Sequence, residues 1–312
     1  MRRVSKVDTV CQVGSLTLPN PVMTASGTAG VGTELGAYGD LCALGAVVVK
    51  SLSVEPWPGN PAPRVHEVGS AMINSVGLSG PGLHAWISKD LPDLKQSGAR
   101  VVVSIWGRKI QDYAKAAEIL GSVLSEPGCP IVAVEVNVSC PNIEDRSRMF
   151  AHSVSMTSEV VDASRCAVPL WVKLSPNVSN ICEIANAALL AGAEGLTLVN
   201  TLLGLAVDVE TRRMVLGAGG GGISGPPLHP VALRAVWECR QACPQAAIIG
   251  VGGICNAIDA IEMILAGADA IEVGTATFRD PKAPWKILSG LQRWCTRHGV
   301  SSISELKGAI LV

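Results

Sequence analysis

Eight short runs of nearly unbroken apolar sequence, rich in β-branched residues, constrain this chain more than any other feature. They cover residues 21–25, 46–50, 100–105, 131–137, 170–174, 195–200, 247–251 and 270–273. A strand that is apolar on both faces must be covered on both, so these runs predict buried parallel strands rather than half-exposed antiparallel ones. Helical periodicity fills several of the gaps: 110–124 with Asp112 near its start, 178–191 ending at Gly192, and 257–266 ending at Gly267. Glycine just past the last periodic residue stops a helix, because it takes up the left-handed backbone of the terminus without steric cost. The phrases Ala191-Gly192-Ala193-Glu194-Gly195 and Ala266-Gly267-Ala268-Asp269-Ala270 each join such an end to a strand start. Eight strands alternating with helices predict an α/β fold of the (β/α)8 TIM-barrel type, and 312 residues accommodate it as a single domain over 1–312. An open doubly wound sheet competes, but it usually has fewer strands and a G-x-G-x-x-G turn after the first, which is missing here.

Composition then removes several function classes. A net charge of -1 offers no basic field to nucleic acid, and 4% aromatic residues leave little for base stacking. No run of about 18 apolar residues exists to span a membrane. The N-terminus carries Arg2, Arg3 and Lys6, but Asp8, Gln12 and Ser15 interrupt any secretory apolar stretch, so the cytosol is the expected location. The 10 cysteines are scattered, with no C-x-x-C pair, which predicts reduced and mostly buried thiols rather than disulfides, a zinc site or an iron–sulfur cluster. No His/Asp/Glu grouping along the chain suggests a metal.

The spacing is uneven. Residues 51–100, with Pro56, Pro58, Pro61 and Pro63, and residues 201–246, with the glycines 219–222, are long extensions, and 139–157 is polar with Arg146 and Arg148. Extensions after barrel strands gather at the C-terminal mouth, where barrel enzymes build their active sites. Gly250-Val251-Gly252-Gly253-Ile254 follows the seventh run and Gly274-Thr275-Ala276 the eighth. That pair of strand ends frequently holds phosphate, since glycines let backbone N–H groups approach an oxyanion. Lys50 and Lys173 interrupt apolar runs, and an ammonium there needs a reason. It either pairs with a structural carboxylate such as Glu135, or reaches solvent, or faces an electron-rich ring or an anion. Cys140, just past the fourth run, is a candidate base or nucleophile set against the ordinary alternative of a spectator thiol. Asn74, Asn137, Asn142 and Asn200 would give it neutral donors and acceptors suited to a planar, amide-rich ligand.

Asn137-Val138-Ser139-Cys140-Pro141-Asn142 resembles the signature of class 1 dihydroorotate dehydrogenases, and the likeness runs nearly end to end. It takes in Ala25-Ser26-Gly27, Lys50-Ser51, Gly59-Asn60-Pro61, Pro63-Arg64, Asn74 to Leu78, Lys173-Leu174-Ser175-Pro176-Asn177, Asn200-Thr201 and Gly221-Gly222-Ile223-Ser224-Gly225-Pro226. The Leu-Ser-Pro-Asn and Gly-Gly-Ile-Ser-Gly-Pro forms are similar to subclass 1B.

This resemblance implies an FMN enzyme of pyrimidine synthesis that oxidises dihydroorotate to orotate. Cys140 would take the proton from carbon 5 while hydride leaves carbon 6 for FMN. Lys50, Asn74, Ser75, Val76, Gly77, Leu78, Asn137, Asn142, Asn200 and Thr201 would hold the substrate. FMN would fall to Ser26, Lys50, Ser51, Asn137, Lys173, Val199, Gly225, Gly252, Gly253, Gly274 and Thr275, with Lys173 near the N1–O2 edge. Residues 139–157 would form a lid. A homodimer core and a partner subunit carrying FAD and a 2Fe–2S cluster, leading to NAD, are implied as well. Ser104 stands where the family often has Asn, Gly80 where Asn is common, and Gly219-Gly220 where Arg-Thr is usual. Three other functions fit parts of the pattern: a fumarate-linked class 1A enzyme, a flavin enzyme of other dihydropyrimidines, and a flavin-free phosphate-binding barrel acting as lyase, isomerase or binding module. Fumarate turnover without a partner, uracil turnover, and a colourless protein indifferent to loss of Cys140 would mark them respectively.

Overall fold

The computed structural model describes residues 7–139 and 149–311. Cys140 and Asn142 lie outside the described residues. Eight parallel strands form the barrel: β1 Val22–Thr24, β2 Val47–Val48, β3 Val101–Ile105, β4 Ile131–Asn137, β5 Leu170–Leu174, β6 Gly195–Leu198, β7 Ala247–Val251 and β8 Ala270–Val273. Each lies within one of the eight apolar runs. The sheet runs β1-β8-β7-β6-β5-β4-β3-β2, and its two ends meet at Met23 and Ala46. Thr24 completes that last seam with its side chain. Its hydroxyl accepts from Val48 N–H (2.8 Å) and donates to Val48 C=O (3.2 Å), replacing ladder bonds that such short strands lack.

Although the runs look uniformly apolar, period two divides them inside the barrel. Met23, Val48, Val102, Ala133, Trp171, Ile249 and Ala270 form one buried cluster, with Cys11, Val13 and Leu18 packed onto it. Those last three belong to the N-terminal hairpin Cys11–Val13 and Leu16–Leu18, which stoppers this end of the barrel. Two residues further along the strands, the same inward face becomes polar: Ser104, Glu135, Lys173, Thr197 and Glu272 are all buried. Registers join Ser104 to Glu135 and Lys173 to both Asn137 and Thr197, while Glu135 itself pairs with Trp171, so this polar layer steps along the strands from one to the next.

Helices cover the outside: α1 Leu83–Lys89, α2 Leu91–Gln96, α3 Ile110–Leu124, α4 Val154–Ala163, α5 Ile181–Leu190, α6 His229–Ala242, α7 Ala257–Ala266, α8 Ala276–Arg279 and α9 Ala283–His298. In α3 the inward stripe is Tyr113, Ala116, Ala117, Leu120 and Val123, at helical spacing, and Asp112 closes the N-terminus by accepting from the backbone of Arg108 and Lys109. The predicted bounds hold for α3 and α7. Helix α5 starts three residues later than the periodicity suggests, because the Asn180 side chain accepts from Cys182 N–H and fixes the cap there.

The two long extensions are more ordered than loops. Val65–Val68, Ala71–Asn74, Leu202–Gly204 and Gly221–Ser224 pair into a four-stranded antiparallel sheet over the barrel mouth. Helices α1, α2 and α6 take up further parts of the same extensions. Of the stretch 139–157 expected to form a lid, residues 140–148 lie outside the described residues, while α4 begins at Val154 and Thr157 is buried. The cysteine expectation needs correction too. Among the described residues only Cys11, Cys239, Cys243 and Cys295 are buried, while Cys42 and Cys255 are exposed. No described helix is long and apolar enough to cross a membrane.

Candidate active site

The C-terminal ends of the strands and the antiparallel sheet enclose a cavity of about 630 Å³, within the usual range for small-ligand sites. Every candidate site residue among those described lines it. Residues on one wall come from the strand ends: Ser26, Lys50, Ser51, Asn137, Lys173, Val199, Asn200 and Thr201. The opposite wall is the turn Asn74 to Leu78. Ser139 and Met149, which bracket the stretch containing Cys140 and Asn142, both line the cavity.

One end is built for a group that needs close backbone approach. Gly225, Gly252 and Gly253 all have left-handed φ values (92°, 132° and 67°), and with Gly274 and Thr275 they line this end. A Cβ on Gly253 would sit 2.7 Å from the backbone N of His229 and 2.9 Å from the carbonyl of Gly225. The turn is therefore clamped between the start of α6 and the end of the antiparallel sheet, and no side chain fits there. Such a cradle suits a phosphate.

The other end carries amides. Asn200 Nδ2 donates to Asn137 Oδ1 (3.3 Å), Asn137 Nδ2 donates to Ser51 Oγ (3.3 Å), and Asn74 Nδ2 donates to the Gly222 carbonyl (3.2 Å). Tyr113, from α3, donates its hydroxyl proton to the Asn137 carbonyl (2.9 Å) and so holds the strand end from outside the barrel. The turn after Asn74 is held in a demanding conformation. Gly77 has φ 71° and Leu78 has φ 58°, unusual for a bulky residue. Asn60 braces it, donating from its amide to Ser75 Oγ (2.8 Å) and from its backbone to Val76 C=O (3.1 Å). A Cβ on Gly77 would lie 2.6 Å from the Asn60 backbone N. Gly77→Ala should therefore destabilise the protein by upwards of about 1 kcal/mol, the cost of forcing a side chain into a left-handed, crowded position. Urea denaturation measures it, and an unchanged midpoint would mean that the Asn60 brace gives way freely.

The floor of the cavity is charged. Lys173, only 6% exposed, donates to Glu272 Oε2 (2.9 Å) and Ser26 Oγ (3.2 Å) and lies 3.7 Å from Glu135 Oε1. Both glutamates are completely buried. Burial pulls the Lys173 ammonium down, but the two carboxylates outweigh it and hold its pKa above the ordinary lysine value. Burial, then the Glu135 carboxylate, pushes Glu272 well above the usual carboxylate range, with Lys173 pulling the other way. Of the alternatives open for Lys173, pairing with Glu135 is thus present, together with a second partner, Glu272. Glu272 was missed, although an acid inside the run Ala270-Ile271-Glu272-Val273 carries the same signal as the lysines. Ser104, which stands where the family often has Asn, donates to Glu135 (3.1 Å) and shares a hydrogen bond with Ser51 (2.8 Å).

No metal was expected, yet the fold gathers ligand atoms of His229, Asp259 and Glu262. They come from α6 and α7, which sequence spacing does not relate. Hydrogen bonds already engage them: Asp259 Oδ2 accepts from the backbone of Cys255 (2.7 Å) and Asn256 (3.1 Å), and His229 bonds Glu262 (2.9 Å) and the Gly252 carbonyl (3.2 Å).

Comparison with known proteins gives a consistent result. Residues 9–294 match a family model described as dihydroorotate dehydrogenase. A protein of Desulforudis audaxviator is 46% identical over 306 residues, covering 97% of this chain and 98% of that protein. Another, from Alkaliphilus metalliredigens, is 43% identical over 309 residues, covering 98% of this chain and 100% of that protein. A third, from Geotalea uraniireducens, is 43% identical over 310 residues, covering 99% and 100%. All three are named dihydroorotate dehydrogenase B (NAD(+)), catalytic subunit.

Proposed function

The chain belongs to the dihydroorotate dehydrogenase family, and from that premise we propose that it oxidises (S)-dihydroorotate to orotate in pyrimidine synthesis, as an FMN-binding unit of the cytoplasm. The observation that carries this reading is the single cavity in which the glycine cradle, two lysines and the asparagine array meet. FMN fits its donor set: the Cβ-excluding turn at Gly252 and Gly253 suits the phosphate, and the ammonium of Lys173 suits the electron-rich edge of the ring. When bound, FMN supplies the acceptor for the hydride that leaves carbon 6.

The remaining steps belong to the chain's own side chains. Cys140, as thiolate, removes the proton from carbon 5, so that a double bond forms between carbons 5 and 6. Asn74, Asn137, Asn142 and Asn200 exchange amide hydrogen bonds with the pyrimidine, while Lys50 and Thr201 and the turn Ser75, Val76, Gly77 and Leu78 hold the ring and its carboxylate. Ser26, Ser51, Lys173 and Val199 hold the flavin ring, and Gly225, Gly252, Gly253, Gly274 and Thr275 hold its phosphate. The relatives' printed names, with NAD(+) and a catalytic subunit, support electron delivery to NAD through a partner subunit. That partner would carry FAD and a 2Fe–2S cluster, and the catalytic chain would form a homodimer core.

The test is direct. The purified, FMN-loaded chain is mixed anaerobically with dihydroorotate while the visible flavin band is followed. Prompt bleaching is expected. A yellow protein that bleaches with dihydrouracil and not with dihydroorotate would replace the substrate assignment, and a protein that cannot retain FMN after reconstitution would overturn the reading.

A further inference from the structure

The polar layer beneath the cavity contains two fully buried carboxylates and one ammonium, a combination that cannot stay fully ionised without an uncompensated negative charge. Their hydrogen bonds show how the excess is resolved. Glu135 uses Oε1 for Ser104 and faces Lys173 with the same oxygen, while Glu272 uses Oε2 for Lys173. The other oxygen of each, Glu135 Oε2 and Glu272 Oε1, is buried with no partner among the described residues. Glu135 Oε1 and Glu272 Oε2 both face the one ammonium, and the two carboxyls lie within hydrogen-bonding reach of each other, so a single proton held between them satisfies the pair.

We propose that Glu135 and Glu272 are positioning residues that share one proton, keeping the cluster with Lys173 neutral and the ammonium directed at Ser26 and the cavity. The proposal rests on the assignment of the cavity to FMN for its consequence, though not for its geometry. The charged and polar neighbours are few. Lys173 stands on β5, Ser104 on β3, Thr197 on β6 and Ser26 just after β1, while Lys50, at the end of β2, lines the same cavity. Below, among the described residues, lie apolar side chains such as Met23 and Trp171 together with the Cys11 thiol, whose pKa burial pushes up to about 12. Loss of the shared proton would therefore place a full negative charge under the site, unscreened by water. The line from Glu135 through Ser104 and Ser51 to Asn137 and Asn200 carries that change of state toward the amide array.

Infrared spectroscopy of the flavin-free protein at neutral pH tests the shared proton without using FMN or dihydroorotate. A protonated-carboxyl C=O band is expected in the parent. It should vanish in Glu135→Gln and in Glu272→Gln alike, because the remaining carboxylate then pairs with Lys173 and ionises. Absence of the band in the parent, or its persistence in both variants, would overturn the proposal. Should either variant fail to fold, Ser104→Ala leaves the pair intact, and its band should shift in frequency without disappearing; loss of the band there would also overturn it. The consequence is read from the flavin midpoint potential of the loaded protein. With rising alkaline pH the parent should show an additional fall as the shared proton leaves, and both Gln variants should lack it. Equal pH dependence in all three would remove the pair from any role at the flavin. Failure of dihydroorotate to bleach the protein would strike the function while leaving the infrared result standing.

Discussion

Cys140→Ala should retain FMN and reduce its rate of reduction by dihydroorotate by on the order of 100-fold or more, the contribution expected of a positioned general base. The prediction is specific to this thiol. Burial pushes Cys11 up to about 12 and raises Cys166, Cys239, Cys243, Cys255 and Cys295 as well, so these hold their protons at neutral pH and make poor bases. Ser139 and Met149, on either side of the stretch that includes Cys140, both line the cavity. Stopped-flow reduction under anaerobic conditions measures the effect. A normal rate in Cys140→Ala would assign the proton transfer to another group.

Lys173→Met should give the largest loss of stability, about 3–5 kcal/mol, the usual result of removing one member of a buried ion pair. The cost comes from Glu135 and Glu272, which lose the ammonium 3.7 and 2.9 Å away while remaining out of water. Its pH dependence has a definite sign. Because the folded pKa of Glu272 is raised, its contribution to stability is full below the ordinary carboxylate range and is lost as pH rises through the folded value. The raised pKa of Lys173 likewise favours the folded state until pH climbs past the ordinary lysine value. The variant's deficit should therefore deepen as pH rises, since a proton lost from Glu272 leaves a buried charge with no cation. Denaturant titrations at mildly acidic and mildly alkaline pH provide the comparison. A deficit that shrank on the alkaline side would refute this account.

The barrel was legible because continuous burial writes itself into sequence: all eight strands fall within the apolar runs, and α3 and α7 have the predicted bounds. The antiparallel sheet was not, for the opposite reason. Val65–Val68 is exposed along its whole length, and Gly221–Ser224 has little side chain to show a period. Its pairing is decided by what lies beneath it rather than by local pattern. Around the cavity, the lysines stood out because a cation in an apolar run is conspicuous. Glu272 is equally conspicuous in principle, but its meaning depends on β8 lying close enough to β5 across the barrel for its carboxylate to meet Lys173, which no local spacing reveals. The gathering of His229 with Glu262 was hidden in the same way, by two helices that only the closed barrel brings side by side.

The sheet over the mouth also bears on the order in which the molecule assembles. Asn74 and Gly222, paired in that sheet, are 148 positions apart in the chain. Closing so large a loop is entropically unfavourable until the intervening strands are already in place. The cavity wall is therefore a late-forming element laid on a finished barrel, and by the same energetics it is the region that opens first. Local opening of this sheet would uncover the cavity while the barrel beneath stays folded.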